Sequence, residues 1–300
     1  MRQFGLILLT VLMFSSPLQA LEAEHHEALT TAALLSYKTC QGLFPAQLKA
    51  ISANNKSAIA AASGDIDRFS LLHLRRSLSR LWNWHFYDAA LADADHPQVS
   101  IKRNWLQMNR SLHRTFVEKT ILASQRRQLA DEQFFVLSGE VLHFVQDMGV
   151  PAHVVPIYHG TFKRDDFDYY VFSGLSGSDL SEQDLKNKCK TLVTSRQTPE
   201  QILNKLAQNT RQAIAKNIAG DTGKQWTMFW DLSPQAKDEC RDGFYSYGQC
   251  GNVFDQAKHQ MSRLPQVCRI EAQAIEAFYA ARYQEMLDAS LAVLVYLNRK

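Results

Sequence analysis

The chain has 300 residues, of which 46% are hydrophobic and 21% are charged, and its formal net charge at pH 7 is +3. This length is enough for one large domain or two small ones. A net charge so close to zero excludes charge itself as an indicator of a nucleic-acid or membrane partner.

The amino terminus has the pattern of a secretory signal peptide. Arg2 precedes an apolar run at residues 4–14, and small residues follow up to Ala20. The pattern predicts removal of residues 1–20, with a cut after Ala23 as the alternative. The apolar run is too short to span a bilayer, and no later segment is long and apolar enough to do so. We therefore expect an exported protein, either periplasmic or secreted.

Helical periodicity dominates the rest of the chain, and strand alternation is almost absent. The sequence therefore predicts an all-α fold, with residues 21–300 forming a single multi-helix domain that carries long loops. Pro97, Pro151 and Pro199 fall at helix boundaries, as expected. The predicted helices span residues 27–40, 45–62, 68–82, 100–124, 128–148, 198–217 and 266–298. Residues 173–184 are predicted to be a loop, and residues 231–265 to be irregular.

Five cysteines follow the predicted cut: Cys40, Cys189, Cys240, Cys250 and Cys268. Export favours disulfides, and an odd number leaves one thiol over. Cys240 and Cys250 bracket a short loop and form the preferred pair, while the other pairing stays open. None of the cysteines has the CxxC spacing of a zinc knuckle, so a structural role is predicted.

Residues 139–153 contain the pattern HxxxDxxxxxH, formed by His143, Asp147 and His153. Histidine and aspartate four residues apart lie on one face of a helix, where both can bind one metal ion. Gly149 and Pro151 are expected to end that helix and to turn His153 back towards the same face. The alternative is that this face is an ordinary polar surface in contact with water.

Further candidate ligands precede this pattern in the sequence. His25 and His26 follow the predicted cut, and Asp67 ends the sequence SGDID, in which Asp65 is the alternative; His85 lies in NWHFYD. Together with HFVQDMGVPAH, these motifs resemble those of the zinc-dependent phospholipase C superfamily, which also contains single-strand-specific zinc nucleases. The resemblance covers residues 21–171.

The resemblance implies three zinc ions per chain, held by the mature amino terminus and by histidine and aspartate side chains. Leu21 would bind through its amine and carbonyl, Asp147 would bridge two ions, and Asp67 would also serve as a catalytic base. The family has a histidine ligand where this chain has Arg164, which cannot coordinate zinc. His159 is the nearest imidazole and is predicted to replace it through a different loop path. The implied metal ligands are Leu21, His26, Asp67, His85, His143, Asp147, His153, His159 and Asp168, the last in place of a glutamate.

The implied function is hydrolysis of a phosphodiester by metal-activated water. A mixed histidine and aspartate ligand set suits zinc better than calcium or magnesium. The sequence HFYD favours a phospholipid substrate, and the apolar segments 154–160 and 170–177 favour transient contact with a membrane surface. The alternatives are a nuclease that degrades single-stranded nucleic acid and a catalytically silent zinc-binding helical protein. No obligate protein partner is expected.

Overall fold

The computed structural model describes residues 23–68, 85–87, 101–103, 106–108, 112–157, 159, 165–170, 181–221, 223–236 and 245–300. These residues are mostly helical, which confirms the all-α prediction. The eight α-helices among them are α1 (Ala23–Leu43), α2 (Ala53–Asp65), α3 (Leu112–Arg126), α4 (Glu132–Asp147), α5 (Pro151–Val154), α6 (Glu182–Thr194), α7 (Pro199–Ile214) and α8 (Ala272–Leu297). Two short strands, β1 (Ile101–Arg103) and β2 (Leu106–Met108), pair in antiparallel fashion. No helix in the described part of the chain is both long enough and apolar enough to cross a membrane.

The amino-terminal part of the predicted helix at residues 100–124 is wrong, because the residues described there form the antiparallel strands β1 and β2. Ile101 lies opposite Met108, and Arg103 lies opposite Leu106. In the sequence, Leu106 and Met108 are two residues apart, which is the spacing of a strand face. The predicted helix at residues 68–82 falls almost entirely outside the described residues.

Two other helices begin at residues that were not predicted, and in each case a serine caps the helix. The predicted start at residue 45 is too early, since Ser52 accepts a hydrogen bond from Asn55 N at 3.2 Å and α2 begins at the next residue. Helix α6 was not predicted, and Ser181 caps it by accepting a hydrogen bond from Asp184 N at 3.1 Å. A serine at the N-cap satisfies a backbone donor that the helix itself leaves unpaired.

Helix α4 is the centre of the core. Nearly all of its residues are buried, and it packs against α2, α3 and α8. The backbone of α2 approaches so closely that a Cβ atom on Gly139 would lie 2.3 Å from the carbonyl oxygen of Ile59. A Cβ atom on Gly64 would lie 2.6 Å from the carbonyl oxygen of Ala23 on α1. Glycine at these two positions brings the backbones of α1, α2 and α4 together next to the candidate ligands.

Two disulfides hold distant parts of the chain together. Cys40 on α1 is bonded to Cys189 on α6, and Cys250 is bonded to Cys268. The predicted pair Cys240–Cys250 is therefore wrong, and Cys240 lies outside the described residues. Gln256 lies within the loop that the second disulfide closes, where it donates to the Cys268 carbonyl at 2.6 Å and accepts from the backbone N–H of Ile270 at 2.9 Å. These two bonds help to hold residues 256–270 together next to the disulfide.

Candidate metal centre

Eight of the nine predicted metal ligands lie among the described residues, and they meet in three adjoining groups. In each group, one candidate ligand atom from each residue lies within 4.8 Å of the others. The amino-terminal group is His26, Asp67 and His143; the middle group is His85, His143 and Asp147; the third group is His153, His159 and Asp168. The remaining predicted ligand, Leu21, lies outside the described residues.

The two residues of the HxxxD pattern do not form a water-facing surface. His143 and Asp147 are both 0% exposed, so the solvated-face alternative is wrong for them. Helix α4 spans Glu132–Asp147, within the predicted range 128–148, and Pro151 starts the short helix α5, which carries His153. Proline suits the first position of a helix because the missing N–H would have no partner there.

The structure also distinguishes between the two aspartates that follow α2. The backbone N–H of Asp67 donates to the carbonyl of Gly64 at 3.1 Å, and this turn directs the Asp67 side chain into the core, where it is 1% exposed. The side chain of Asp65 is 42% exposed and lies 3.5 Å from Arg68. Asp67 is therefore the aspartate that joins the candidate centre.

Asp147 connects the three groups. Its Oδ1 atom lies 3.5 Å from His26 Nε2 and 3.6 Å from His153 Nδ1. Its Oδ2 atom lies 2.7 Å from His85 Nδ1 and 3.5 Å from His143 Nε2. Burial alone would raise the pKa of Asp147, but the surrounding imidazoles outweigh burial and hold its pKa well below the ordinary value. The carboxylate therefore stays charged and can bridge two cations.

Several buried polar atoms in the centre have no hydrogen-bond partner within the described part of the chain. They are His26 Nε2, Asp147 Oδ1, His153 Nδ1 and Asp168 Oδ1. A buried polar atom left without a partner costs about 1–3 kcal/mol, so such atoms are rare in a folded protein. Their convergence within a few ångströms fits a set of cations that would satisfy them together.

Three of the imidazoles are anchored by Nδ1, the nitrogen opposite the one that faces the centre. Nδ1 of His143 lies 2.8 Å from the carbonyl of Ser63, and Nδ1 of His159 lies 2.8 Å from the carbonyl of Ile157. Nδ1 of His26 lies 2.6 Å from Oε1 of Gln146. Because a carbonyl can only accept, each bond places a proton on Nδ1 and makes Nε2 the nitrogen available to a metal ion. Histidines that bind metals usually have this arrangement.

The third group brings His159 next to His153 and Asp168. His159 Nε2 lies 3.2 Å from His153 Nε2 and 3.2 Å from Asp168 Oδ2. Burial would lower the pKa of His159, but Asp168 outweighs it and raises that pKa to about 9. Burial raises the pKa of Asp168 to about 7, against the opposing effect of His159. Arg164 itself lies outside the described residues.

Sequence reasoning missed some of the residues that support the third group. Asp165 is fully buried, and its Oδ2 accepts hydrogen bonds from Tyr247 OH at 2.8 Å and from Trp230 Nε1 at 3.3 Å. Its Oδ1 accepts from the backbone N–H of Phe167 at 2.9 Å and so shapes the turn that presents Asp168. The sequence signal was the three aspartates in the segment 165–168, of which only one was selected as a ligand.

The lipid-docking expectation is wrong for residues 154–157, the described beginning of the first apolar segment. Val154, Val155 and Ile157 are at most 1% exposed, so the apolar residues of segment 154–157 belong to the core and do not form a docking loop. Most of segment 170–177 lies outside the described residues. Phe86 is buried against the rings of His153 and His159, at centroid distances of 5.5 and 5.3 Å, so it packs next to the third group.

No protein-family model matches this chain, and no curated protein is significantly similar to it. The resemblance to the zinc-dependent phospholipase C superfamily therefore stays a prediction from the sequence motifs.

We expect His159→Gln to lower the bound zinc by about one ion per chain, because a zinc site built from three protein ligands cannot lose one and remain tight. Metal analysis after dialysis against a weak chelator measures the loss. His259→Gln is the matched control, because His259 is bonded to Asp166 Oδ2 at 2.5 Å and belongs to none of the three groups. Equal zinc content in His159→Gln and the unmodified protein would exclude His159 as a ligand.

Proposed function

We propose that this chain is an exported zinc-dependent phosphodiester hydrolase of the phospholipase C type. The observation that carries the proposal is Asp147, whose two carboxylate oxygens face imidazoles that belong to all three groups. Such a carboxylate would hold cations side by side, and paired cations are typical of enzymes that act on phosphate esters.

The ligand set suggests how three ions would be shared. His143 belongs to two of the groups but can bind only one ion, through Nε2, because its Nδ1 is bonded to the Ser63 carbonyl. It would hold that ion with His85 and Asp67, and His26 would hold another together with the free amine of Leu21 and an oxygen of Asp147. The third ion would be held by His153, His159 and Asp168. Zinc bound there would supply Lewis acidity and a water nucleophile at neutral pH.

Asp67 is the proposed general base. Its Oδ1 atom lies 3.6 Å from His85 Nε2, and its Oδ2 atom lies 3.6 Å from His26 Nε2. The carboxylate therefore lies between the amino-terminal and middle groups, where it can orient the attacking water and accept its proton. Asp67 is also buried, so bulk water does not compete for its oxygens.

Export is supported by the signal-peptide pattern together with the two disulfides. Cys40–Cys189 and Cys250–Cys268 would form and persist in an oxidising compartment, whereas a reducing cytosol would disfavour them. We therefore assign the mature protein to the periplasm or the exterior of the cell.

The substrate test compares a phospholipid with a nucleic acid under identical conditions. Mature protein supplied with zinc is expected to release the phosphorylated headgroup from phosphatidylcholine in mixed micelles faster than it degrades single-stranded DNA or RNA. The sequence HFYD at His85 favours this order. Both assays should be repeated with Asp147→Asn, which reveals any activity from a contaminant.

The opposite ranking, with rapid digestion of nucleic acid and intact phospholipid, would assign the protein to the nucleases of the same superfamily. Zinc binding without activity on either substrate would instead indicate a silent zinc-binding protein. Both results contradict the proposed substrate, and only the second contradicts catalysis.

A further inference from the structure

Gln146 is a fully buried glutamine between the two ligands of the HxxxD pattern on α4. Its side chain reaches α1, where its Oε1 atom lies 2.6 Å from His26 Nδ1. The proposed function gives no role to this residue. A buried amide costs free energy unless all of its polar atoms are bonded, so its partners indicate what it holds in place.

The amide nitrogen of Gln146 has two partners of its own. It donates to Thr30 Oγ1 at 2.9 Å on α1 and to Ser290 Oγ at 3.2 Å on α8. Both hydroxyl residues are 0% exposed, so water cannot take their place. In this arrangement the NH₂ end of the amide points away from His26, and its carbonyl oxygen faces the ring.

This orientation determines the tautomer of His26. A carbonyl oxygen only accepts hydrogen bonds, so the proton of the imidazole must be on Nδ1. The lone pair of Nε2 then faces Asp147 Oδ1 at 3.5 Å and Asp67 Oδ2 at 3.6 Å. That direction is the one in which a shared cation would lie.

We propose that Gln146 is a positioning residue that fixes the ring orientation and tautomer of His26, and thereby sets the zinc affinity of the amino-terminal group. The proposal rests on the proposed zinc binding and goes beyond it, because it assigns a role to a side chain that coordinates nothing. Loss of such an outer partner typically weakens metal binding about 10–100-fold. Through Ser290, the same contact links the ligand His26 to α8, which contributes none of the predicted ligands.

The test compares two replacements of Gln146, of which only one can accept a hydrogen bond from His26. Gln146→Met keeps the length of the side chain but cannot accept from His26, so it should weaken the most sensitive zinc site about 10–100-fold in competition with a chromophoric chelator. Gln146→Glu still accepts from His26 Nδ1, and the hydroxyls of Thr30 and Ser290 can rotate to donate to it. Its zinc affinity should therefore stay close to that of the unmodified protein.

Ser138→Ala is the matched control for the loss of a buried hydrogen bond. Ser138 is buried on the same helix and donates to the Phe134 carbonyl at 2.8 Å, away from the predicted ligands. This variant should bind zinc as tightly as the unmodified protein. Equal weakening in Ser138→Ala and Gln146→Met would show a general effect of packing in α4 and would overturn the proposal.

Nitrogen-15 NMR of the metal-loaded protein gives a readout that packing alone does not change. His26 should show a slowly exchanging proton on Nδ1 and a metal-shifted Nε2, and the Nδ1 proton should lose its protection in Gln146→Met while those of His143 and His159 keep theirs. The spectrum of the unmodified protein is decisive even if Gln146→Met does not fold. A proton on Nε2 of His26 would overturn the proposal.

Different results would contradict the proposed function and the proposed role of Gln146. If the unmodified protein binds no zinc, the proposed function is wrong and this inference fails with it. If the unmodified protein binds zinc and Gln146→Met binds it equally well, only the role of Gln146 is wrong.

Discussion

Asp147→Asn is expected to abolish phosphodiester hydrolysis and to release zinc from more than one group. The replacement keeps the shape of the side chain but removes the negative charge that faces His26, His85, His143 and His153. An amide also cannot present two anionic oxygens to two cations. The activity should fall by more than the roughly 100-fold that loss of an outer partner can cause. Initial rates and zinc content measured on the same preparation check both effects.

Glu140→Gln is the matched control for Asp147→Asn. Glu140 lies on the same helix, is 8% exposed, and forms an ion pair with Lys119 at 2.6 Å, outside the three groups. The Glu140→Gln protein should keep its zinc and its activity, because the replacement removes an ion pair that lies outside the metal groups. If Asp147→Asn kept full activity and zinc, Asp147 could not be the residue that joins the groups.

Removing the metal is expected to destabilise the whole fold strongly. The candidate ligands are contributed by α1, α4, α5 and the segments between helices, and nearly all of them are buried, so the metal-free centre contains charges and unpaired atoms in the core. A ligand present at about 1,000 times its dissociation constant stabilises the native state by about 4 kcal/mol. For a chain of this size, that corresponds to a fall in Tm of roughly 10 °C when one such site is emptied.

Thermal unfolding followed by circular dichroism, with and without a chelator, measures this effect. Excess zinc should restore the Tm, and excess magnesium should not, because magnesium prefers oxygen ligands and the centre is rich in imidazole nitrogens. The experiment is done without reductant, so that both disulfides stay intact. A Tm that does not respond to chelation would contradict a structural dependence on bound metal.

The sequence predicted the parts of the centre that depend on local geometry. Four-residue spacing is enough to place His143 and Asp147 on one helix face, and Pro151 is enough to predict where a new turn begins before His153. The mainly helical class followed from apolar periodicity in the same way. These features depend only on residues that are near one another in the chain.

The features that were missed depend on long-range folding or on cues that were not used. The disulfide Cys250–Cys268 joins one cysteine of the predicted pair to a different partner, and the hydrogen bond from His26 Nδ1 to Gln146 Oε1 joins residues that are 120 positions apart. No spacing rule predicts either contact. The start of helix α6 could have been predicted locally, since SEQD at residues 181–184 is a capping pattern. Residues 173–184 were instead predicted to be a loop.

The central claim is that Asp147 joins three metal groups, and the zinc content of the mature protein tests it most directly. The protein should be exported by its own signal sequence, purified without chelator or metal-affinity resin, and analysed by inductively coupled plasma mass spectrometry against a concentration from amino-acid analysis. We predict close to three zinc ions per chain, shared among the three groups as proposed above, with His143 binding only one of them. One ion or none in protein that was supplied with zinc throughout expression would contradict the account.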